Sequence, residues 1–363
     1  MGSARIFNFA AGPSMLPEEV LQQAGAELTN YKGTGMSVME MSHRSDVYAR
    51  IFESVQTAFR RVMNIPNNYS VLFLQGGATL QFAMVPMNLI GKTGSADYAV
   101  TGSFSGKAAK EAEKYGKIHI SASSEDKNFT YIPRQEDLEI FPNASYFHYC
   151  ANNTIYGTEW NYVPETGEIP LVCDMSSNIL SKPVDVSKYA LIYAGAQKNM
   201  APAGLTVVII RNDLAGNAFP YTPIMMDYAT MIKNDSMYNT PPCYNIYILG
   251  LVLNWVEKLG GLKALQKRNE EKAALLYECL EESQIFHPVA EKEARSNMNV
   301  TFRSDSPELD AMFVARAADA GFVNLKGHRS VGGMRASIYN AMPPEGVAAL
   351  ADFIRVFEQN ILR

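Results

Sequence analysis

Residues 189–211, YALIYAGAQKNMAPAGLTVVIIR, contain two short apolar runs, Tyr189–Ala194 and Leu205–Ile210, joined by a Gly/Ala/Pro-rich loop with Lys198 at its centre. The length and β-branched content of both runs predict buried strands. A lysine between two core strands has no obvious partner. Burying it unpaired lowers its pKa and exposes a neutral amine, which is what a Schiff-base lysine needs. The same residue also reads as a solvated loop lysine, and the flanking sequence has to decide between the two.

Upstream, Pro170–Asp174 (PLVCD) is another apolar run and ends in an acid followed by MetSerSer. An aspartate at the carboxyl end of a buried parallel strand lies where open α/β sheets bind ligands, although it also reads as the cap of the next turn. Further back, Ser70–Leu74 (SVLFL) runs straight into Gln75, Gly76, Gly77, Ala78 and Thr79, which open a helix through Leu89. Strand, small residues, then helix N-terminus points free N–H groups at a phosphate, and a plain tight turn would look the same. Between these lie strands over Tyr98–Thr101, Lys117–Ile120 and Tyr146–Cys150 and a helix over Lys107–Tyr115. Alternating strands and helices imply a parallel sheet covered on both faces.

Outside this block, Asn8–Pro17 (NFAAGPSMLP) is a punctuated arm before an amphipathic helix over about Pro17–Tyr31. A loop then leads to His43 and Arg44 beside a helix capped near Ser45 or Asp46. Past the sheet, a helical region over Pro242–Ser283 is broken by Gly260 and Gly261 and reads as a connector. The C-terminal part follows as a strand (Met298–Arg303), a helix (Ser306–Asp319, with Leu309, Met312, Phe313 and Ala317 on one face), strands (Phe322–Leu325, Met334–Tyr339) and a last helix after Pro343–Pro344. That is a compact α+β unit, and its Gly-rich turn KGHRSVGGMR holds His328, Arg329 and Arg335. The expected division is 16–258 for a large cofactor-binding domain, with 1–15 and 259–363 forming the small one.

With 47% hydrophobic and 19% charged residues and a net charge of −5 without a basic block, the chain is an ordinary globular one, and nucleic acid or an anionic membrane surface finds no electrostatic support as a partner. The longest apolar runs are strand-sized and no secretory leader is evident, so a cytoplasmic location is expected. Cys150, Cys173, Cys243 and Cys279 show no CxxC or metal spacing, and neither a metal nor a disulfide is expected. In an acidic chain, the cationic elements His43/Arg44, His328/Arg329 and Arg335 stand out. If they converge, they suit a small substrate with two or three negative groups. Together with Lys198, Asp174 and the phosphate cup, this is the set that pyridoxal phosphate chemistry requires.

NFAAGPSMLP, MSHRS, FLQGGATLQF, CDMSSNILS, YAGAQKNMAPAGL, SMYNTPP and GHRSVGGMRASIYNAMPPEG resemble, in order and spacing from about Phe7 to the C-terminus, the motifs of the phosphoserine aminotransferase family, fold-type-I enzymes of the class V aminotransferases. The resemblance implies a seven-stranded, mostly parallel sheet of the aspartate aminotransferase type with a smaller α+β C-terminal domain. It implies that Lys198 holds the cofactor aldehyde and shuttles the substrate's α-proton, and that Asp174 pairs with the ring nitrogen. Thr154 and Gln197 would hydrogen-bond the cofactor, Ala78 and Thr79 would supply the phosphate cup, and Phe104 would stack on the ring. Asn239 and Thr240 would reach the cofactor phosphate of a neighbouring subunit in a homodimer. Arg335 would hold the substrate α-carboxylate, with His43, Arg44, His328 and Arg329 on its side-chain anion and Ala11 in the approaching N-terminal loop.

The implied reaction moves the amino group between glutamate and 3-phosphonooxypyruvate in serine biosynthesis, and in many bacteria the same activity on a four-carbon phosphate serves pyridoxine synthesis. Many bacterial members carry arginine where this chain has Thr79, tryptophan where it has Phe104 and serine where it has Ala11. A different fold-type-I enzyme, such as an alanine:glyoxylate-type aminotransferase or a desulfurase, would keep Lys198 and Asp174 but leave Arg44, His328 and Arg329 idle. A nicotinamide enzyme is disfavoured because GlyGlyAla is not GxGxxG. A structural protein on the same scaffold would have lost Lys198 or Asp174.

Overall fold

Lys198 stands on the connection between two adjacent strands of a seven-stranded sheet in the computed structural model, which describes residues 5–363. Its strands are Tyr69–Leu74 (β1), Ser95–Val100 (β2), Lys117–Ser123 (β3), Phe147–Cys150 (β4), Leu171–Asp174 (β5), Leu191–Gly195 (β6) and Thr206–Arg211 (β7). They lie in the order β1-β7-β6-β5-β4-β2-β3, with only β7 antiparallel to its neighbours. The expected mostly parallel sheet is therefore present. Its antiparallel member is the second half of the 189–211 stretch, with Ile192 opposite Ile209 and Ala194 opposite Val207.

Every residue of β5 and β6 is buried, which requires packed layers on both faces. Because side chains alternate along a strand, Phe73, Cys173, Ile192, Val207 and Ile209 meet the helices Asp46–Met63 and Cys243–Lys258 on one face. Leu72, Val172, Leu191, Tyr193 and Val208 meet the helices Gly77–Leu89 and Ser103–Ala112 on the other. Ser45 caps the first of these helices through its hydroxyl, as expected.

A second core forms around Phe286, Phe302, Phe313 and Phe357, where the helices Gly261–Glu282, Pro307–Asp319 and Pro344–Ile361 cover the small antiparallel sheet of His287–Pro288, Asn299–Arg303 and Met334–Ser337. Phe7–Asn8 pairs in parallel with Phe322–Val323, which ties the N-terminal arm to this core. The part of the N-terminal segment comprising residues 1–4 lies outside the described residues.

Several local expectations differ. The helix expected to reach Tyr31 stops at Ala26, and the Asn30 side chain instead accepts from Gly35 N–H at 2.7 Å, closing a turn. The helix expected from Lys107 begins one turn earlier, at Ser103, because the Ser105 hydroxyl satisfies the Gly102 N–H at 3.1 Å. Met312 is exposed, and Val314 packs against the core beside Phe313 and Ala317 in its stead. The strand expected over Phe322–Leu325 pairs only to Val323, since Asn324 takes a left-handed conformation (φ 65°). The strand ending expected at Tyr339 falls at Ser337, where the chain turns towards the central sheet.

Candidate active site

The carboxyl ends of the parallel strands converge on one cleft of about 260 Å³. β1 leads into Gly77–Thr79, β4 into Asn152–Thr154, β5 into Asp174–Ser177 and β6 into Gln197–Lys198, while Phe104 comes from the helix after β2. That is where an open α/β sheet places its ligand.

Lys198 points into the cleft. Its Nζ donates to Thr154 Oγ1 at 2.7 Å and lies 5.6 Å from the centroid of the Phe104 ring. Burial pushes the amine below the usual lysine range and Arg335 adds to this, opposed by Asp174 and Cys150. The Lys198 amine thus faces the cleft and Thr154 rather than lying on an open loop. The N-terminal arm closes over the lysine stem: Ser14 donates through its hydroxyl to the Lys198 carbonyl, and Ser14 N–H donates to Gln197 O at 3.0 Å. Gly12 suits this position, because its φ of +142° is a conformation that side-chain-bearing residues rarely adopt.

Asp174 is buried, and its Oδ1 accepts from Ser176 N–H at 2.8 Å. Burial raises its pKa, while Ser176, Lys198 and Tyr193 favour its charged form. An acid held this way suits a protonated ring nitrogen, which would complete the pair that burial demands.

At the other end of the cleft, Gly76 adopts a left-handed conformation (φ 90°) and makes no side-chain cap, leaving the first N–H groups of helix Gly77–Leu89 directed outward. A Cβ on Gly76 would lie 2.4 Å from Leu80 Cδ2, so glycine is required for this approach. Ala78 and Thr79 both line the cleft. An amine, an acid and an anion cup on one wall match the aldehyde, ring nitrogen and phosphate of pyridoxal phosphate, so the residues present fit that group.

Of the expected cations, Arg335 and His328 line the cleft. Arg335 Nη1 donates to Thr154 O at 3.3 Å, whereas its buried Nε has no partner among the described residues, as in a fork waiting for a carboxylate. Burial, with Arg335, Arg329 and Lys107 nearby, lowers the pKa of His328. Ala11, Phe104, Thr154 and Gln197 also line the cleft. His43, Arg44, Arg329, Asn239 and Thr240 do not: Arg44 and Arg329 are exposed, and Asn239 donates to Gln75 Oε1 at 3.1 Å outside the cleft. Within one chain the cationic elements do not all converge. Cys150, Asn152, Ser176 and Ser177 line the cleft without having been singled out. For Ser176 the signal was present, since Asp-x-Ser at a strand end is an Asx-type turn.

Residues 6–350 match the family model described as aminotransferase class-V. A phosphoserine aminotransferase of Geobacillus kaustophilus is 54% identical over 358 residues, covering 98% of this chain and 99% of the relative. The solved phosphoserine aminotransferase from Bacillus circulans subsp. alkalophilus superposes with a TM-score of 0.96 at 46% identity, covering 98% of this chain and 99% of that one. The pyridoxal-phosphate-bound phosphoserine aminotransferase from Trichomonas vaginalis superposes at 0.93 with 39% identity, covering 97% and 100%.

Proposed function

This chain belongs to the phosphoserine aminotransferases within the class-V aminotransferases, and from that premise we infer that it transfers the amino group reversibly between glutamate and 3-phosphonooxypyruvate, giving 2-oxoglutarate and O-phospho-L-serine in serine biosynthesis. The observation that carries the reading is the pairing of Lys198 with Asp174 in one cleft beside an arginine that has no acid partner among the described residues. Pyridoxal phosphate supplies an aldehyde that carries the amino group and a ring that takes up the electron pair of the α-carbon. The chain's residues supply the rest. Lys198 Nζ would hold the aldehyde, and burial, by favouring its neutral form, suits it to move the proton off the substrate α-carbon. Asp174 holds the ring nitrogen protonated, the N–H groups at Ala78 and Thr79 take the cofactor phosphate, and Phe104 offers a π face. Thr154 and Gln197 orient the cofactor, and Arg335 takes the substrate α-carboxylate as a fork.

The functional unit we propose is a cytoplasmic homodimer, in which Asn239 and Thr240 serve the partner's phosphate cup and the cationic pairs complete one shared anion pocket. The exposure of Arg44, Arg329, Asn239 and Thr240 outside the chain's own cleft supports this, as do the exposed apolar Met39, Tyr221, Ile224 and Tyr238. Among the described residues no helix is long and apolar enough to cross a membrane. We propose the division at 16–258 against 1–15 and 259–363, supported by a cleft whose lining draws Lys198 and Asp174 from the first part and Ala11, His328 and Arg335 from the second. Arg44→Ala and Arg329→Ala are each expected to weaken binding of both substrates by roughly 1.5–3 kcal/mol, the range for charged hydrogen bonds. Unchanged Michaelis constants for glutamate and the phosphorylated acceptor would remove both arginines from the pocket.

The overall reading is tested by colour. Purified protein is expected to be yellow, to lose the colour with glutamate and to regain it with 3-phosphonooxypyruvate. A colourless protein that pyridoxal phosphate cannot reconstitute, or a glyoxylate rate above that with 3-phosphonooxypyruvate, contradicts it.

A further inference from the structure

Behind Asp174 the sheet carries a buried polar chain that the reaction, as derived above, does not use. Asp174 and Tyr193 are register partners on the parallel strands β5 and β6, so their side chains leave the same face of the sheet. The Tyr193 hydroxyl lies 2.8 Å from His148 Nε2 and close enough to Asp174 to favour the charged carboxylate. All three residues are buried. The His148 ring is stacked between Tyr98, at 4.7 Å between centroids, and Tyr193, at 5.9 Å, which fixes its orientation.

The direction of the chain follows from an orphan atom. His148 Nδ1 is buried without a partner among the described residues. A buried N–H without an acceptor is rarer than an underused lone pair, so the ring proton belongs on Nε2, where the Tyr193 oxygen can accept it. That leaves the single Tyr193 proton free for Asp174. Ser176 favours the same charged carboxylate: its hydroxyl accepts from Gly195 N–H at 3.0 Å and has its own proton left to give. Burial pushes His148 down to about 3, so one neutral form persists at working pH.

We infer that His148 and Tyr193 are positioning residues: a one-way chain of donors, His148 Nε2–H to the Tyr193 oxygen and the Tyr193 hydroxyl to Asp174, that keeps this acid ionised for the cofactor ring nitrogen. The inference rests on the reading of Asp174 as the partner of that nitrogen.

Tyr193→Phe keeps the stack on His148 and removes only the hydroxyl. In spectrophotometric titration of the cofactor-free variant, the Kd for pyridoxal phosphate is expected to rise about tenfold or more, the effect of losing one hydrogen bond to a charged group. In the loaded variant kcat falls by a similar factor, while KM for glutamate and for the phosphorylated acceptor moves by no more than about twofold. Unchanged Kd and kcat overturn the relay. In the wild type, 15N NMR is expected to report the neutral Nε2–H tautomer for His148 with and without cofactor across about pH 5–8, where an ordinary histidine titrates. An Nδ1–H tautomer or a titrating ring overturns the relay whether or not the variant folds. Failure of either test in a wild type that still binds pyridoxal phosphate and turns over sinks the relay alone; a wild type that does neither sinks the assignment of the site.

Discussion

Lys198→Ala is expected to abolish turnover, a loss on the order of a thousandfold or more in kcat, because in the proposed mechanism one amine both holds the aldehyde and moves the α-proton. No neighbour can take over. Cys150 lines the cleft, but burial and Asp174 push its thiol well above the usual range, so it carries no thiolate at neutral pH. Arg335 stays protonated, Thr154 has only a hydroxyl, and His328 stands in the Gly-rich turn of the small core. The variant is still expected to bind pyridoxal phosphate, because the cup at Ala78 and Thr79, the acid at 174 and the Phe104 face are untouched. Borohydride reduction separates the two functions. Wild-type protein retains the cofactor mass after reduction and denaturation, and the variant does not. Wild-type turnover in Lys198→Ala, or cofactor retained covalently after reduction, removes the assigned role.

The central sheet was legible because its signals are local. The runs Tyr189–Ala194 and Leu205–Ile210 became adjacent strands, and the Pro170–Asp174 run ended in its acid at the sheet's carboxyl edge. Apolar continuity, strand length and a terminal polar residue all sit within a few positions of one another. What the sequence hid depends on partners remote in the chain. Met312 has the spacing of a core residue, yet the fitting neighbour of Phe313 is Val314, which only the packing of the Phe-rich core decides. The short pairing of Phe7–Asn8 with Phe322–Val323 joins the two ends of the chain and has no local signature. Among candidate site residues, Lys198 and Asp174 declared themselves by being charged beside strands expected to be buried, and Arg335 as a cation in a Gly-rich turn of an acidic chain. Cys150, Asn152 and Tyr193 did not, since buried polar or aromatic residues on a strand are ordinary until a neighbour gives them a role.

Asp174→Asn should separate catalysis from stability in opposite directions. The amide keeps the shape of the carboxyl and an oxygen for the Ser176 N–H, but it cannot ionise. A protonated ring nitrogen would then face a neutral group in a buried setting. Breaking such a pair costs about 3–5 kcal/mol, on the order of a hundredfold to a few thousandfold in rate. In the cofactor-free protein the sign reverses. Burial raises the pKa of Asp174 above its unfolded value of about 3.9, so as pH rises the unfolded chain gives up this proton first and stability falls. Removing the ionisable group removes that loss. Cofactor-free Asp174→Asn should therefore melt at a higher temperature than cofactor-free wild type near neutral pH, and the difference should shrink as pH drops below the unfolded pKa. Calorimetry with and without pyridoxal phosphate, beside stopped-flow rates with glutamate, checks both halves. A variant that keeps its rate shows that the acid does not serve the ring nitrogen, and a cofactor-free variant that melts lower at neutral pH shows that Ser176, Tyr193 and Lys198 already compensate the buried charge in full.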